Sequence, residues 1–554
     1  MDLQQLADLL FPSISGTLED WEEAYPKRKL PEGASVTRLG PSPTGFIHLG
    51  NLYSAFVDER QARLSDGVMI LRIEDTDQKR KVEGSEELII RSLSHYGINF
   101  DEGVTLEGEK GDYGPYRQSE RKEIYHTAGK KLVESGWAYP SFMSEEEIGA
   151  LRKRQEEQKI LPGIHGKWAS ERELTLEEVR ENLLAGKEWV LRLKSRGEGR
   201  ESYSICDGIR GDIRVHPNIM DTVLLKADGL PTYHFAHVVD DHFMRITHIV
   251  RGEEWLSTLP IHLEVHEALG WEPPVFCHTS HLLKMDGGNK RKLSKRRDPE
   301  LSLEYYHQEG YFPEAIREYL MILLNSDYEE WRRDHPDTPL EDFSFRMEDM
   351  SSSGALFDME KLHDVSKDVL LRISEEEILA YLLDWADRYA PECAPEMHER
   401  SSELLRILSI GRDAKKPRKD LIYARQIYQF IHYYLDGGFH IEDPLPERVS
   451  REEAIGILEE FLAGYDHEDD NSAWFAKIRA IAQDRGFALR MGDFRREPDK
   501  YKGTVADVSS VIRLGITGRA SSPDLWNIMQ IMGEERALKR LEDYLASLQS
   551  ESIA

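Results

Sequence analysis

The feature that most constrains the fold is an alternation of short apolar runs and helical patterns over residues 35–115. The first run leads into a loop rich in glycine and proline, and then into a helical pattern from Asn51 to Leu64. A second run, Val68–Ile73, is followed by an acidic loop and a helical pattern from Gly84 to Tyr96. Such alternation is typical of a parallel sheet with crossover helices. The sequence therefore predicts an α/β fold.

The alternation is interrupted and then resumes. Residues 116–228 mix charged helical patterns with the strand-like runs EWVLRLK and TVLLKAD, and the strand–helix pattern returns over residues 229–300. We therefore expect one sheet in two halves, with a domain inserted between them. Residues 1–34 form an acidic helical lead-in, and beyond residue 300 nearly the whole chain has helical periodicity. A core followed by a helical tail implies a separate task for each.

Composition predicts a folded cytoplasmic chain without a membrane span. Of 554 residues, 40% are hydrophobic and 31% are charged, and no apolar run reaches the roughly 18 residues that a spanning helix needs. The first residues carry acids instead of the basic stretch of a secretory signal. Cys206, Cys277 and Cys393 form no CxxC pair, which suits a reducing compartment.

The formal net charge is −30. Taken alone, this charge argues against a nucleic-acid partner, because Lys and Arg side chains drive binding to phosphates. A local basic groove is still compatible with an acidic chain, since the distribution of charge decides such binding. Two short segments, Lys290–Arg297 and Ala414–Asp420, are locally basic.

Four segments indicate chemistry when they are taken together. PSPTGFIHLGN lies at a strand-to-helix turn, where free N–H groups and His48 can donate to phosphate oxygens. LRIEDTD follows a strand and is either a solvated turn or a polar ligand site. RGEEWL brings Arg251, a fork for a carboxylate, and Trp255, a stacking group or plain core. KRKLSKRR is a solvated loop, a localisation signal, or a mobile loop whose Lys292 and Lys295 neutralise a leaving pyrophosphate.

In this order the segments are similar to the signature motifs of class I aminoacyl-tRNA synthetases. HLGN varies HIGH, and KLSKR varies KMSKS. TRLGPSPTGFIHLG, LRIEDTD and GLPTYHFAHVVDDHFMRITHIVRGEEWL resemble glutamyl-tRNA synthetases. VIRLGITGRASSPDLWNIMQIMGEERALKRL resembles the closing segment of the bacterial-type members. The resemblance covers residues 35–547 and leaves the N-terminal extension outside.

The resemblance implies a Rossmann-type parallel-sheet core, an inserted acceptor-stem domain and an all-helical anticodon-binding region. The implied parts are an N-terminal extension (1–34), the first half of the catalytic core (35–115), the acceptor-stem-binding insertion (116–228), the second half of the core (229–300), a stem-contact region (301–370) and the helical anticodon-binding region (371–554).

The implied reaction is glutamate–tRNA ligation by a monomer. ATP activates glutamate as glutamyl-adenylate with release of pyrophosphate, and glutamate then passes to the 3′ end of tRNA-Glu. Whether tRNA-Gln is charged as well is left open. Mg²⁺ accompanies ATP and is held mainly by its phosphates and water.

The family motifs also assign residues to sites. In the glutamate pocket, Glu74 is expected to meet the substrate ammonium and Arg38 the side-chain carboxylate. The pocket as a whole comprises Arg38, Ser42, Glu74, Tyr233 and Arg251. The expected catalytic residues are His48, Gly50, Lys292 and Lys295, and the expected ATP site adds Glu254, Trp255 and Ser294 to these.

Four residues are expected to contact tRNA. Arg117 lies in GPYRQSER at the edge of the insertion, and Arg513 lies in IRLGITG near the implied anticodon site. Lys416 and Arg418 belong to the basic segment AKKPRKD, for which a solvated helix start is an equally good interpretation.

No metal is predicted. Many bacterial members of the family hold zinc through a CxC motif in the insertion, but here Tyr139–Met143 reads YPSFM with no cysteine nearby. The histidine pairs His234/His237 and His262/His266 have metal-ligand spacing. The first pair lies inside a matched motif and the second in an ordinary helical pattern, so we interpret both as structural.

Other functions fit parts of the pattern. A glutaminyl enzyme shares the core, but most such enzymes end in paired β-barrels. The helical pattern of the tail argues against them here. A shortened paralogue that glutamylates a modified tRNA base lacks such a tail, and a generic nucleotidyltransferase has little use for one. A non-catalytic tRNA-binding paralogue predicts damage at Arg38, His48, Glu74 or Lys295, and all four are intact.

Overall fold

The computed structural model of the chain describes residues 2–45, 47–294, 296–412 and 414–550. It divides into two units. One runs from the N-terminus to Tyr305 and includes Arg317–Asp358, and the other comprises Tyr306–Ile316 and the residues from Met359 onward. The strands of the described residues all lie in the first unit: β1 (Val36–Leu39), β2 (Val68–Leu71), β3 (Glu102–Thr105), β4 (Gly108–Lys110), β5 (Ala138–Ser141), β6 (Val190–Leu193), β7 (Tyr203–Asp207), β8 (Gly211–Val215), β9 (Val223–Leu225), β10 (His248–Gly252), β11 (Val275–Thr279), β12 (Leu282–Asp286), β13 (Asn289–Lys292) and β14 (Ala355–Leu356).

Helices occur throughout, and α10 and α11 cross the division between the units. Within the described ranges, no helix is both long and apolar enough to cross a membrane. The helices are α1 (Leu3–Leu10), α2 (Leu18–Ala24), α3 (Leu49–Leu64), α4 (Ser85–His95), α5 (Lys122–Glu134), α6 (Glu145–Glu157), α7 (Leu176–Leu184), α8 (Tyr233–Phe243), α9 (Leu259–Leu269), α10 (Leu303–Glu309), α11 (Pro313–Leu324), α12 (Asp327–Asp334), α13 (Met359–Arg372), α14 (Glu375–Tyr389), α15 (Ala394–Glu399), α16 (Ser401–Ser409), α17 (Ala424–Ile431), α18 (Arg451–Gly464), α19 (Asn471–Asp484), α20 (Met491–Arg496), α21 (Val505–Thr517), α22 (Leu525–Met532) and α23 (Glu534–Ser550).

Parallel strands form the base of the first unit, which confirms the predicted α/β fold. β1 pairs with β2 and β2 with β3 in parallel, and β10 pairs with β11 in a second parallel ladder. The Thr247 N–H donates to the Val36 carbonyl oxygen (2.9 Å), which brings β10 beside β1. The carboxyl ends of β1, β2 and β10 therefore meet at one edge, the usual place for a ligand in such a sheet.

Two element boundaries differ slightly from the sequence prediction. α3 begins at Leu49, two residues earlier than predicted, because His48 caps the helix. β2 ends at Leu71, since Ile73 leaves the sheet and forms an isolated bridge with Arg117.

The insertion is built around a small antiparallel sheet. β5, β6 and β9 form it, so the strand-like runs EWVLRLK and TVLLKAD are confirmed as strands. The sequence missed the hairpin of β7 and β8, because most of its side chains are exposed and each strand has only two alternating apolar residues. The prediction of a loop over residues 289–297 is wrong in its first part. β13 pairs with β12 across Gly287 and Gly288, both at positive φ (55° and 89°).

The predicted division at residue 370 differs from the division between the two units. β14 pairs in parallel with β12, with Ala355 opposite Leu282, and this ladder ties the residues before 358 to the first unit. α13 then opens the longer segment of the second unit, and residue 370 falls inside this helix.

Each unit has its own apolar core. In the first, Leu6 and Ala7 of α1 are fully buried in the same cluster as Phe235 of α8, so the N-terminal extension is part of this core. In the second, the helices from α13 to α23, apart from α20, pack around residues such as Trp385 and Ile512. The predicted helical tail is confirmed.

His266 on α9 generates a prediction about stability and pH. Its ring is buried, neither nitrogen has a hydrogen-bond partner among the described residues, and burial lowers its pKa to about 4. Below the ordinary histidine pKa of about 6.5, the imidazole is therefore protonated in the unfolded chain. In the folded chain it stays neutral until the pH is much lower. We expect the free energy of unfolding to fall as the pH drops from 6.5 towards 4, by up to about 1.4 kcal/mol per pH unit for this residue.

Urea unfolding at pH 7.5, 6 and 5 measures this slope. His266→Leu should make it shallower, because this variant removes the buried imidazole. Equal slopes in wild type and His266→Leu would contradict the interpretation.

Candidate active site

A cavity of about 630 Å³ opens at the carboxyl ends of β1, β2 and β10. It brings together residues that are more than 200 positions apart in the chain. Among the residues predicted from sequence, its lining includes Arg38, Ser42, His48, Gly50, Glu74, Tyr233, Arg251, Glu254, Trp255 and Lys292. Ser294 is described but does not line the cavity, and Lys295 lies outside the described residues.

His48 starts helix α3 and faces the cavity. The ring Nδ1 of His48 accepts from the backbone N–H of Asn51 (3.2 Å). The backbone N–H of His48 donates to Asn51 Oδ1 (3.1 Å), which makes the cap reciprocal. Because Nδ1 is an acceptor, Nε2 carries the proton of the neutral imidazole. The turn therefore combines a histidine N–H with the positive end of a helix, a combination suited to phosphate.

Two glycines allow the close packing around this turn. A Cβ at Gly50 would lie 3.0 Å from His48 Nδ1, so a larger residue would press on the ring. A Cβ at Gly40, directly after β1, would lie 2.3 Å from Glu74 Oε1. Gly40 was missed by the sequence analysis, although its position between a strand and the PSP loop is a usable signal.

A buried charge network centred on Asp241 fixes one side of the cavity. Asp241 accepts from Arg38 Nε (3.2 Å), Arg72 NH1 (2.6 Å) and His237 Nδ1 (2.8 Å). Burial alone would raise the pKa of Asp241, but the charges of Arg38 and Arg72 hold it well below its usual range. Glu74 accepts from Arg72 NH2 (3.0 Å), yet burial raises its pKa overall. Asp241 was not predicted as a site residue.

Arg251 is held differently, by two imidazoles. Its Nε donates to His278 Nε2 (3.0 Å), and its NH1 lies 2.9 Å from His262 Nδ1. A guanidinium can only donate, so both facing nitrogens are acceptors and both rings are neutral. Burial lowers the pKa of each histidine, which favours the same state. The interpretation of His262 as merely structural is therefore incomplete, because the residue contacts a cavity arginine.

The charge of Arg251 is left without a direct counter-charge. Among the described residues, no carboxylate forms an ion pair with its guanidinium, whose other polar neighbour is the Tyr233 hydroxyl. Burial accordingly lowers the pKa of Arg251. The nearest anion in this chain of contacts is Asp207, which accepts from His278 Nδ1 (2.6 Å) on the far side of the imidazole. An anionic ligand would supply what the pocket lacks.

Aromatic rings form the wall beside Arg251. The rings of Tyr233 and Trp255 lie 4.3 Å apart, and Tyr233 stacks on His237 (5.3 Å). These contacts fix the direction of the Tyr233 ring at the start of α8.

The basic segment after β12 is organised by one carboxylate. Asp298 accepts two hydrogen bonds from Arg291 (2.6 and 2.7 Å) and one from the Ser294 N–H (2.8 Å). Hydrogen bonding to Arg291 holds the pKa of Asp298 well below its usual range. Lys292, on β13, reaches the cavity, with its Nζ 3.5 Å from His281 Nε2.

The residues predicted to contact tRNA differ in how much charge they present. Arg117 is paired with Glu86 (2.8 Å) and Glu109 (3.2 Å) in the first unit. In the second unit, both ends of the Arg418 guanidinium donate to Asp420 (2.6 and 2.8 Å), whereas Lys416 is exposed.

Arg513 is half-buried and donates to Ser522 Oγ (2.7 Å) and to the Ser522 and Pro523 carbonyl oxygens. The sequence could not reveal these internal partners, because the identity of a basic residue does not show which groups its side chain contacts in the folded protein.

One trio in the described part of the chain has the composition of a metal site. Donor atoms of His432, His440 and Glu442 lie within 4.8 Å of one another. Arg519 donates to both oxygens of Glu442 (2.9 and 3.2 Å), so that carboxylate already has a cation. We assign no metal to it.

Comparisons with known proteins agree with the motifs. Residues 35–364 match the family of "tRNA synthetases class I (E and Q), catalytic domain", and residues 500–545 match an anticodon binding domain. The chain is 56% identical to a glutamate–tRNA ligase of Acetivibrio thermocellus over 98% of this chain and 100% of that one. It is 35% identical to a glutamate–tRNA ligase of Thermus thermophilus over 92% and 100%. A solved glutamate tRNA ligase from Elizabethkingia meningosepticum, in complex with its amino acid, matches with a TM-score of 0.72 at 28% identity over 93% and 99%.

The network around Asp241 generates a prediction about stability. Asp241→Asn removes the counter-charge that Arg38 and Arg72 share in a fully buried site, and we expect a loss of about 3–5 kcal/mol in the free energy of unfolding. Asp77→Asn, which breaks the exposed pair with Arg80, is the matched control and should change little. Urea unfolding compares the three proteins. Similar losses of unfolding free energy in Asp241→Asn and Asp77→Asn would show that the buried network contributes no more to stability than an exposed ion pair.

Proposed function

The chain belongs to the class I tRNA synthetases for glutamate and glutamine, and we propose that it is a glutamate–tRNA ligase. The observation that carries this proposal is the charge pattern of one cavity. Arg38 and Arg251, two guanidiniums, and Glu74, one carboxylate, line the same space. Free glutamate offers the complement, two carboxylates and one ammonium. In this assignment Glu74 meets the ammonium, and Ser42 and Tyr233 complete the pocket.

The same charges favour glutamate over glutamine. Asp241 is shared by Arg38 and Arg72, and Arg251 has neutral imidazoles as partners, so the cavity has more cationic than anionic contacts to offer a ligand. Glutamine brings one carboxylate for two guanidiniums. An amide in place of the second carboxylate loses a charge-assisted hydrogen bond, about 1.5–3 kcal/mol, and leaves a buried cation poorly compensated. Sites built around one such polar group reach discrimination of roughly 10⁴.

The proposed chemistry has two steps. A glutamate α-carboxylate oxygen attacks the α-phosphorus of ATP, and the bond to the bridging oxygen breaks as pyrophosphate leaves with the electron pair. The terminal ribose hydroxyl of tRNA then attacks the carbonyl carbon of the adenylate, the bond from that carbon to the phosphate oxygen breaks, AMP leaves with the electron pair, and the hydroxyl proton passes to solvent. No residue of the chain becomes covalently attached, so catalysis consists of positioning and electrostatic stabilisation.

The phosphate end of the cavity supports this assignment. The N–H at His48 Nε2 and the start of α3 can donate to phosphate oxygens, with Gly50 leaving room for close approach. Lys292 and Lys295 would stabilise the charge that develops on pyrophosphate, while Glu254, Trp255 and Ser294 belong to the nucleotide side. Mg²⁺ would enter with ATP, held mainly by phosphates and water. Glu74 is a poor metal ligand here, because it is already bonded to Arg72.

The remaining parts are proposed to hold tRNA. The insertion over residues 116–228 would contact the acceptor stem, and the helical region over 371–554 the anticodon. Of the expected contacts Arg117, Lys416, Arg418 and Arg513, the exposed Lys416 is best disposed for phosphate, because the three arginines bond within the protein. We expect no zinc in the insertion, given its lack of a cysteine pair.

The decisive test is transfer of labelled glutamate and glutamine to purified tRNA-Glu and tRNA-Gln, with ATP and Mg²⁺. We expect glutamate on tRNA-Glu and glutamine on neither tRNA. Glutamate on tRNA-Gln as well would identify an enzyme that charges both. Folded protein that transfers no glutamate would overturn the proposal in favour of a binding-only paralogue.

Variants at His262 test the uncompensated charge of Arg251. His262→Glu places a carboxylate against the guanidinium and should raise the KM for glutamate at least tenfold, corresponding to the loss of one charge-assisted hydrogen bond of about 1.5 kcal/mol or more. His262→Gln keeps a neutral acceptor and is the matched control, with a much smaller expected effect. The KM for ATP should change little in both. An unchanged glutamate KM in His262→Glu would rule out this source of selectivity.

A further inference from the structure

The N-terminal extension, outside the motifs that indicate the reaction, is bonded to the insertion. α1 packs on α5, with Leu6 fully buried between them. Lys130 Nζ of α5 donates to the Ile14 carbonyl oxygen (2.9 Å) and pairs with Asp8 (2.8 Å). The first half of the extension is therefore fixed to the insertion by apolar and charged contacts.

The second half of the extension is bonded to the catalytic core. Glu22 accepts from His242 Nε2 and Arg245 NH2, both at 2.5 Å, at the end of α8. Arg28 donates twice to Glu102 of β3 (2.6 and 3.0 Å). The extension thus joins the insertion to both halves of the core.

Tyr25 connects this segment to the glutamate end of the cavity. Its buried ring lies under the guanidinium of Arg121 (5.6 Å), and its hydroxyl donates to the Gly114 carbonyl oxygen (2.6 Å). Arg121 Nε in turn donates to Asp240 (2.6 Å), and both side chains are fully buried. Asp240 precedes Asp241, the carboxylate that holds Arg38 and Arg72. Two contacts and one peptide bond therefore separate Tyr25 from Asp241, the residue that orients the pocket.

We propose that residues 2–34 brace the insertion against the catalytic core and that Tyr25 is a positioning residue for the glutamate pocket, acting through Arg121 and Asp240. Loss of the ring leaves Arg121 without its cover and lets the end of α8 shift, which moves Asp241 and the arginines bonded to it. Such a shift starts far from the reacting atoms. It weakens the binding of glutamate, because the arginines move, without removing any group that touches substrate. The inference rests on the proposed glutamate–tRNA ligase activity.

The test compares Tyr25→Ala, Tyr25→Phe and wild type in glutamylation of tRNA-Glu, with concentrations corrected by titration of active sites. Tyr25→Ala should raise the KM for glutamate about tenfold, and Tyr25→Phe, which keeps the ring, should restore it to within about twofold of wild type. Glu22→Gln, which weakens the bonds to His242 and Arg245, should raise it by a smaller factor. Glu19→Gln, on an exposed position of the same helix α2, is the matched control and should match wild type.

The outcomes separate this inference from the proposed function. A wild-type protein without glutamylation activity contradicts the function itself. An active wild type, with a lowered melting temperature but a wild-type glutamate KM in Tyr25→Ala, shows that the brace merely stabilises and overturns the inference. If Tyr25→Ala does not fold, Glu22→Gln decides, since it removes charge alone. A glutamate KM equal to that of Glu19→Gln would then overturn the inference as well.

Discussion

One buried carboxylate, that of Asp241, sets the geometry on which the cavity depends. It accepts from Arg38 on β1, from Arg72 just after β2 and from His237 one turn earlier in α8. A buried carboxylate is stable only while its cations stay in place, and each buried cation needs its anion equally. The two strands and the helix therefore hold one another in register, and Arg72, which Asp241 holds, donates in turn to Glu74 at the cavity wall.

The two arginines of the cavity show two ways of holding a buried cation. Arg38 shares an anion with a neighbour, whereas Arg251 is oriented by neutral imidazoles that direct its hydrogens without cancelling its charge. The first arrangement makes the arginine rigid. The second leaves a positive charge that an anionic ligand can neutralise. Specificity for an acidic substrate then follows from what surrounds the arginine as much as from the arginine itself.

Sequence predicted the fold class and ten of the residues that line the cavity, because those residues lie where strands end and their motifs are local. It missed Asp241, Gly40 and the role of His262, because these depend on contacts between distant segments: Arg38 and Asp241 are 203 residues apart. It also overstated the basic segment of the tail. In the structure, the Arg418 guanidinium donates to Asp420, two residues further on. A run of basic residues in the sequence does not show such pairing.

The bonds of the N-terminal extension have a consequence for the order of folding during translation. Glu22 is separated by 223 residues from Arg245, its partner at the end of α8. At roughly 5–20 residues per second, the ribosome delivers that partner about 10–45 s after Glu22 itself. Helix α1 packs on α5, which begins at Lys122, so its buried face meets its partner sooner than Glu22 does, but still only after the first half of the core has been made. The first residues to be synthesised therefore depend on partners that the ribosome supplies much later, so the extension completes its contacts only after the second half of the core has emerged.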